Sequence, residues 1–408
     1  MSKTAGREKK KTKLNIGKFL KLVPERTDAV ENSRGGETVS AKTYKPNKMA
    51  AVLHPGTQHV VVTETKKITE DAVMFTLEPD RNRGTERLAP FEPGSYICLS
   101  VNIDGCVYTR PYSLASSPED CKTGKYEICI KKNSQGTVSK YMTETCAPGA
   151  CLDVSGPYGE FTYEPLRDAG TVIAVAGGSG ITPFRAMAKS IAEGYSDFSL
   201  IILYGARRYE EILFRDEEFF NTADKKVRTV YVLSDEEREG FEKGFITKEL
   251  ILKYVPEDSP YSVFICGPQG LYKYMEKELC GLNLKRKYIR TEVFGEIKEP
   301  EAEEDFVMPD REEYEVTVRQ NGGTVKIKCR FNESLLSAME KNGIDPPSGC
   351  RSGECGFCHS KVISGTYYTP ARCDRRRAAD RIYGYIHPCC TFPSSDMEIE
   401  VPKAPLSR

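Results

Sequence analysis

The chain has 408 residues, too many for one ordinary hydrophobic core, which implies two or three domains. Its 59 basic residues are balanced by 59 acidic ones, so nothing pulls it globally toward nucleic acid or an anionic membrane. No run approaches the roughly 18 apolar residues of a membrane span, and the basic N-terminus lacks the apolar core of a secretion signal. A cytosolic protein with no integral-membrane segment is therefore expected.

Residues 1–55 form a basic extension. Within it, 14–23 has the pattern of one or two basic amphipathic turns suited to a membrane surface or a partner, although a solvated tail is the simpler reading. From His59 short alternating runs follow at 59–62, 72–77, 96–101 and 126–130, separated by Gly, Pro and Asp. They predict a small antiparallel barrel over 56–166. The turn from Ser155 to Phe161 closes it, with Phe161 packed inside.

Between 167 and 296 strand and helix alternate. Strands are expected at 171–176, 200–204, 228–233 and 262–266, a helix at 183–192, and a charged helical stretch near Glu217. Alternation of this type predicts a parallel α/β sheet. Residues 297–312 are acidic, contain Pro300 and Pro309, and read as an inter-domain linker. The last domain, 313–408, has strand patterns at 314–318 and 324–329 and a helix near 334–342.

That domain also holds the strongest motif. Fifteen cysteines are scattered along the chain, without the spacing of a small disulfide framework, yet three crowd into Cys350-Arg-Ser-Gly-Glu-Cys355-Gly-Phe-Cys358. With Cys389 thirty intervening residues later, this is the plant-type [2Fe–2S] spacing. Three thiolates must converge on a compact cluster, and Gly349, Gly353 and Gly356 let the chain wrap it with backbone N–H groups aimed at sulfur. Cys389 and Cys390 compete for the fourth position. Cys389 lies four residues before Pro393, the spacing seen after the last ligand of plant-type ferredoxins, so Cys389 is the expected ligand and Cys390 should turn into the core. A zinc site would more usually pair two short C-x2-C knuckles, and only one is present. His359 and His387 flank the loop and are expected to be structural.

Arg110-Pro111-Tyr112-Ser113 ends a barrel strand and offers a cation for a pyrophosphate, an aromatic surface for a ring, and a small hydroxyl. Those are the needs of a flavin. Gly136, Thr137, Val138 and Ser139 read as a helix start whose N–H groups can hold phosphate. Gly177-Gly178-Ser179-Gly180-Ile-Thr182-Pro183 follows the strand at 171–176, where backbone amides at a helix's positive end can meet a second pyrophosphate. Thr182 is the expected N-cap and Pro183 suits the first turn. The pattern G-x-G-x-x-P departs from the G-x-G-x-x-G fingerprint of dinucleotide folds. Cys266-Gly-Pro-Gln-Gly270 ends another strand, and in a parallel sheet ligands sit beyond the carboxyl ends of the strands. This places Cys266 near the reacting rings, although a buried thiol in a turn is the plain alternative.

Together, Arg-Pro-Tyr-Ser, Gly-Thr-Val-Ser, Gly-Gly-Ser-Gly-Ile-Thr-Pro, Cys-Gly-Pro and the four cysteines make residues 56 to 408 resemble the ferredoxin–NADP+ reductase superfamily fused to a C-terminal plant-type ferredoxin domain. The domain order is similar to that of oxygenase reductases and of the NADH reductase of hybrid cluster protein. The resemblance implies a multidomain fold: an antiparallel flavin-binding β-barrel, a parallel α/β nucleotide-binding domain and a C-terminal β-grasp ferredoxin domain. It implies that Arg110, Pro111, Tyr112, Ser113 and residues Gly136 to Ser139 hold the flavin, and that Gly178, Gly180, Thr182 and Cys266 receive the nicotinamide nucleotide. Glu292 and Phe294 would close the flavin site, with Cys266, Ser113 and Glu292 as the catalytic set and Cys350, Cys355, Cys358 and Cys389 as cluster ligands. The implied cofactors are FAD in preference to FMN, a [2Fe–2S] cluster, and NADH in preference to NADPH. Asp235, after Leu233 and Ser234, would repel a 2′-phosphate, while Arg207 and Arg208 could compensate.

The expected activity follows. The flavin converts a two-electron hydride into single electrons, and a plant-type cluster near about −400 mV passes them to a separate redox protein, of the oxygenase, hybrid-cluster or corrinoid type. Arg351, Arg372, Arg375, Arg376, Arg377 and Arg381 suggest an acidic face on that partner. The alternatives are a diaphorase acting directly on quinones or small acceptors, and a redox-sensing protein without turnover.

Overall fold

The computed structural model describes residues 45–255 and 259–402. The amphipathic stretch expected at 14–23 lies outside the described residues. Helix α1 (Lys45–Leu53) has no buried residue. Among the described residues no helix is long and apolar enough to cross a membrane.

Six antiparallel strands form the first domain: β1 (Gln58–Thr69), β2 (Ala72–Pro79), β3 (Tyr96–Ile103), β4 (Cys106–Ser113), β5 (Tyr126–Lys131) and β6 (Cys151–Tyr158). They run in the order β4-β3-β6-β1-β2-β5, and a bridge from Leu114 to Ile128 joins the two ends. Alternation turns Val60, Val62, Phe75, Leu77, Ile97 and Leu99 inward. Two short helices, α2 (Pro118–Lys122) and α3 (Thr137–Thr145), interrupt the meander.

The second sheet is parallel throughout, in the order β10-β9-β8-β7-β11-β12. Its strands are β7 (Thr171–Gly177), β8 (Ser199–Ala206), β9 (Val227–Leu233), β10 (Glu242–Lys243), β11 (Tyr261–Cys266) and β12 (Ile289–Glu292), with helices α4 (Thr182–Ala192), α5 (Lys248–Tyr254) and α6 (Gln269–Cys280). The run Val172 to Ala176 is apolar at every position because β7 is central and covered on both faces. The chain steps outward from β7 through β8 and β9, then returns to place β11 on β7's other side. The carboxyl ends of β7 and β11 therefore flank the crevice where such sheets bind ligands.

Two expectations are corrected here. The helix near Glu217 is replaced by single 3-10 turns at Tyr209–Glu211 and Glu218–Phe220. Phe214, in the left-handed region at φ 59°, breaks the helical path, and Phe220 is drawn into the core. Phe161 does not fill the barrel. Its ring meets Phe184 at 5.6 Å and Phe264 at 5.3 Å, so it packs with the core of the parallel sheet and seals the two domains together.

The third sheet runs β14-β13-β19-β15-β17, built from β13 (Glu313–Gln320), β14 (Gly323–Arg330), β15 (Ser360–Ser364), β17 (Tyr385–Ile386) and β19 (Met397–Glu400). The first and last of these strands, β13 and β19, pair in parallel. Helix α7 (Leu335–Lys341), capped by the Ser334 hydroxyl, sinks Leu335, Leu336 and Met339 against this sheet to make a β-grasp core. A small ribbon of β16 (Tyr367–Tyr368) and β18 (Phe392–Pro393) and helix α8 (Ala378–Ile382) complete it.

The acidic stretch at 297–312 is no loose tether. Ile297 and Pro300 are buried. Glu303 is held by Lys273 and Arg372, and Asp305 accepts from the Tyr368 hydroxyl at 2.6 Å and the Ala371 N–H at 3.0 Å. Its carboxylates serve as anchors to both neighbouring domains.

Candidate functional site

The two glycine motifs of the parallel sheet meet at the crevice. A 3-10 turn (Gly178–Ile181) leads from β7 into α4, and Gly180 lies so close to the end of β11 that a Cβ would stand 2.0 Å from the Cys266 carbonyl oxygen. Only glycine permits that approach. Thr182 is not the N-cap. The 3-10 turn already supplies the preceding carbonyls, and the Thr182 hydroxyl donates back to the Ser179 carbonyl at 2.8 Å.

Beside this turn, Cys266 and Glu292 are register partners on β11 and β12. The Ser113 hydroxyl, at the end of β4, donates to the Glu292 carboxyl at 3.1 Å. All three side chains are buried. Burial pushes the Glu292 carboxyl up to about 8, opposed by the Ser113 hydrogen bond, and raises the Cys266 thiol well above its ordinary range. Two side chains hold β12 in place. Arg290 makes a bidentate pair with Asp168 at 3.0 and 2.6 Å and donates to the Glu160 carbonyl, while the Tyr272 hydroxyl donates to the Glu292 carbonyl.

The structure thus brings together Ser113, Cys266, Glu292 and, through its ring contact with Tyr96 at 5.0 Å, Phe294. Pro111 is buried and Tyr112 packs on the barrel core. Gly136 caps α3 without any side-chain hydrogen bond, and a cavity beside this first turn is lined by Ser134, Gln135, Gly136, Thr137, Lys140, Tyr141 and Glu144. Val138 turns inward, and the Ser139 hydroxyl accepts from the Asn133 N–H. A free helix start of this type fits a phosphate. Arg110 is placed differently from the expectation. Its guanidinium donates to Glu340 of α7 at 3.0 Å, with the Thr109 carbonyl as second acceptor.

The four expected thiols converge in two pairs. Cys350 and Cys355 exchange contacts across their loop, and the Cys358 and Cys389 sulfurs are 3.4 Å apart. Among the described residues no three His, Cys, Asp or Glu side chains gather as for a single ion. Two pairs instead match two irons with two protein thiolates each. Backbone N–H groups of Ser352 and Cys355 aim at the Cys350 sulfur, at 3.5 and 3.3 Å. The Cys355 thiol and these amides hold the Cys350 thiol well below its usual range. Among the described residues the buried Ser348 hydroxyl has no hydrogen-bond partner, and the Ser352 hydroxyl lies beside the Cys350 thiol and helps lower it. These amides aimed at the Cys350 sulfur fit a [2Fe–2S] cluster. At Gly353, with φ 84°, a Cβ would stand 2.4 Å from the Cys373 carbonyl.

Cys390 turns into the core against the Cys373 and His387 carbonyls, as expected. His387 Nδ1 pairs with the Gly353 carbonyl at 2.8 Å, while His359 stacks on Tyr385 and contacts Asp380. Both histidines are structural.

Several contributors escaped sequence reasoning. Tyr96 and Cys98 of β3 form the barrel wall against the cysteine loop, and Tyr158 meets Phe357 of that loop at 5.0 Å. Gly295 donates its N–H to the Cys350 carbonyl at 3.3 Å. The basic patch is also smaller than its sequence. Arg351 is buried, Arg372 binds Glu303, Arg375 binds Glu354 and Arg376 binds Asp374, while Arg377 and Arg381 pair more loosely with Asp380 and Asp374, each at 3.5 Å.

Comparison with known proteins gives three domain families in order: an oxidoreductase FAD-binding domain at 59–163, an oxidoreductase NAD-binding domain at 174–277, and a 2Fe-2S iron-sulfur cluster binding domain at 318–394. The glycine betaine monooxygenase reductase subunit of Chromohalobacter salexigens is 27% identical over 327 residues, covering 76% of this chain and 87% of its own. The NADH oxidoreductase HCR of Escherichia coli is 26% identical, covering 76% and 88%. Among solved structures, phthalate dioxygenase reductase aligns with a TM-score of 0.62 at 23% identity, covering 85% of this chain and 98% of that one.

Proposed function

We propose that this chain, which belongs to the ferredoxin–NADP+ reductase superfamily and ends in a plant-type [2Fe–2S] ferredoxin domain, delivers single electrons to a separate oxygenase-type protein. It is an NADH-dependent electron-transfer reductase using FAD and a [2Fe–2S] cluster. A flavin held in this site would supply the conversion of a two-electron hydride from NADH into single electrons, and a cluster at the four thiols would supply the one-electron relay.

In our reading, Ser113, Cys266 and Glu292 surround the point of hydride transfer. The buried Glu292 carboxyl stays neutral near pH 7 and so leaves no fixed negative charge beside a flavin that gains one on reduction. The α3 start at Gly136 to Ser139 takes flavin phosphate, and the Gly178 to Thr182 turn takes the nicotinamide nucleotide. Cys350, Cys355, Cys358 and Cys389 hold the cluster. We place the domain boundaries near 166, 296 and 312, and we place the protein in the reducing cytosol, which its fifteen unpaired thiols support.

One observation carries this reading most. The short run from Glu292 to Gly295 begins at the Ser113 hydroxyl and ends at the Cys350 carbonyl, so the hydride end and the thiol loop are a few residues apart.

The test is an anaerobic titration of the purified protein with NADH, followed by absorption and by electron paramagnetic resonance. We expect flavin bands and a cluster shoulder to bleach, with a reduced-cluster signal, and rapid NADH oxidation only when a protein acceptor is added. A colourless or zinc-containing protein rules the reading out. Full turnover on quinone alone favours a diaphorase.

A further inference from the structure

We infer that Arg351 is a positioning residue for internal electron transfer: its guanidinium holds Glu340 of its own domain where Arg110 of the flavin barrel grips it, reaches the barrel directly at the Thr109 carbonyl, and clamps the end of the nucleotide-binding domain through Glu296. The inference rests on the reading of the neighbouring thiols as cluster ligands.

Arg351 directly follows Cys350, yet its side chain is only 2% exposed. One guanidinium nitrogen donates to Glu340 at 2.7 Å and to the Thr109 carbonyl of β4 at 3.3 Å. The other donates to Glu296, four residues beyond Glu292. Both carboxylates are shared. Glu340 also accepts from Arg110 of the barrel at 3.0 Å, and Glu296 accepts the Ser334 hydroxyl at the start of α7 at 2.6 Å. Two guanidinium groups thus face two carboxylates, so the buried charges cancel, and removal of one member leaves its partner uncompensated.

The backbone carries a second sign. Arg351 sits at φ 60°, in the left-handed region that disfavours a non-glycine residue. The loop uses glycine at its other left-handed positions, 353 and 356, so the arginine at 351 points to a role for its side chain. The backbone amides that aim at sulfur come from Cys350, Ser352 and Cys355 and do not involve the Arg351 guanidinium. The guanidinium therefore serves the domain seam, while the amides serve the thiols. Arg110 adds a link to the flavin side, because the cation expected to face flavin phosphate is the one that grips α7.

Two substitutions in the full-length holoprotein test this. Arg351→Gly removes the guanidinium at a position where glycine is at ease, and Glu340→Gln removes one charge without touching the thiol loop. We expect both variants to retain cluster absorption and to reduce flavin with NADH within about twofold of wild type. Electron transfer from flavin to cluster, resolved by single-turnover absorption, should slow severalfold as the two domains separate. Amide hydrogen exchange over residues 335–341 should rise in both. Unchanged transfer and unchanged exchange overturn the clamp. So does loss of the cluster in Arg351→Gly together with wild-type behaviour of Glu340→Gln, which would confine Arg351 to holding its own loop. A wild-type protein without a reducible cluster would instead remove the underlying functional reading.

Discussion

The Ser113 hydroxyl and the Glu292 carboxyl meet at 3.1 Å although 179 positions separate them, one ending a barrel strand and the other ending the parallel sheet. That bond joins the flavin side of the molecule to the nucleotide side at the point where burial makes the carboxyl a weak acid.

A pH dependence follows. Glu292 holds its proton more tightly when folded, with its pKa raised from 4.5 to about 8, so its stabilising contribution is complete below about 4.5 and lost as pH rises to about 8. If the neutral form supports hydride transfer, kcat/KM for NADH should fall as pH rises through about 8. Glu292→Gln mimics the neutral acid and should flatten that limb. A descending limb that persists in the glutamine variant assigns it to another group.

The fourth cluster position can be decided directly. Cys389→Ser should lose iron and the cluster absorption, because Cys389 faces Cys358 at 3.4 Å. Cys390→Ser should retain both, since that thiol contacts only carbonyls and its neighbouring cysteine. Iron analysis of the two purified variants separates the assignments.

Nucleotide preference should respond to one carboxylate. Asp235 binds Arg207 at 2.9 Å and so occupies the cation that a 2′-phosphate would need. Asp235→Ala is expected to raise kcat/KM for NADPH on the order of tenfold, equivalent to about 1.4 kcal/mol, with a smaller change for NADH. An unaltered ratio of the two constants removes Asp235 from the selectivity determinants.

Arg185 offers a stability test at a second seam. It is buried on α4, donates to Glu217 at 2.8 Å through two nitrogens, and reaches across to the Ala115 carbonyl and Glu127 of the barrel. Arg185→Ala leaves two carboxylates without their cation and should cost about 3–5 kcal/mol in urea unfolding. A cost below about 1 kcal/mol would show that water replaces the lost donors.

What the sequence disclosed was whatever its chemistry keeps local. The Cys350, Cys355, Cys358 spacing, the Gly177 to Pro183 loop and the buried run of β7 each carry their meaning within a dozen residues: the structure sets Cys350 and Cys355 against each other, packs Gly180 on the end of β11 and buries β7 on both faces. The misplacements have a common origin in distant partners. Arg351 looked like a surface charge because nothing near it announces Glu296, 55 positions away, and the Arg110 motif gives no sign of Glu340, 230 positions away. Phe161 was assigned to the nearer core because no pattern in its own turn announces Phe184 and Phe264. Thr182 resembled a cap because a 3-10 turn before a helix has no distinct composition.

The anchored acidic segment has a consequence for traffic. Many multidomain redox proteins use a lengthy hinge so that a small carrier swings between donor and recipient. With Ile297 buried, Glu303 bound on both sides and Asp305 locked to Tyr368, this carrier has no such reach. The electron leaves through a stationary port. Whatever receives it must travel to the molecule and depart again, so the recipient's abundance and residence time, rather than any swing within this chain, govern how much current flows.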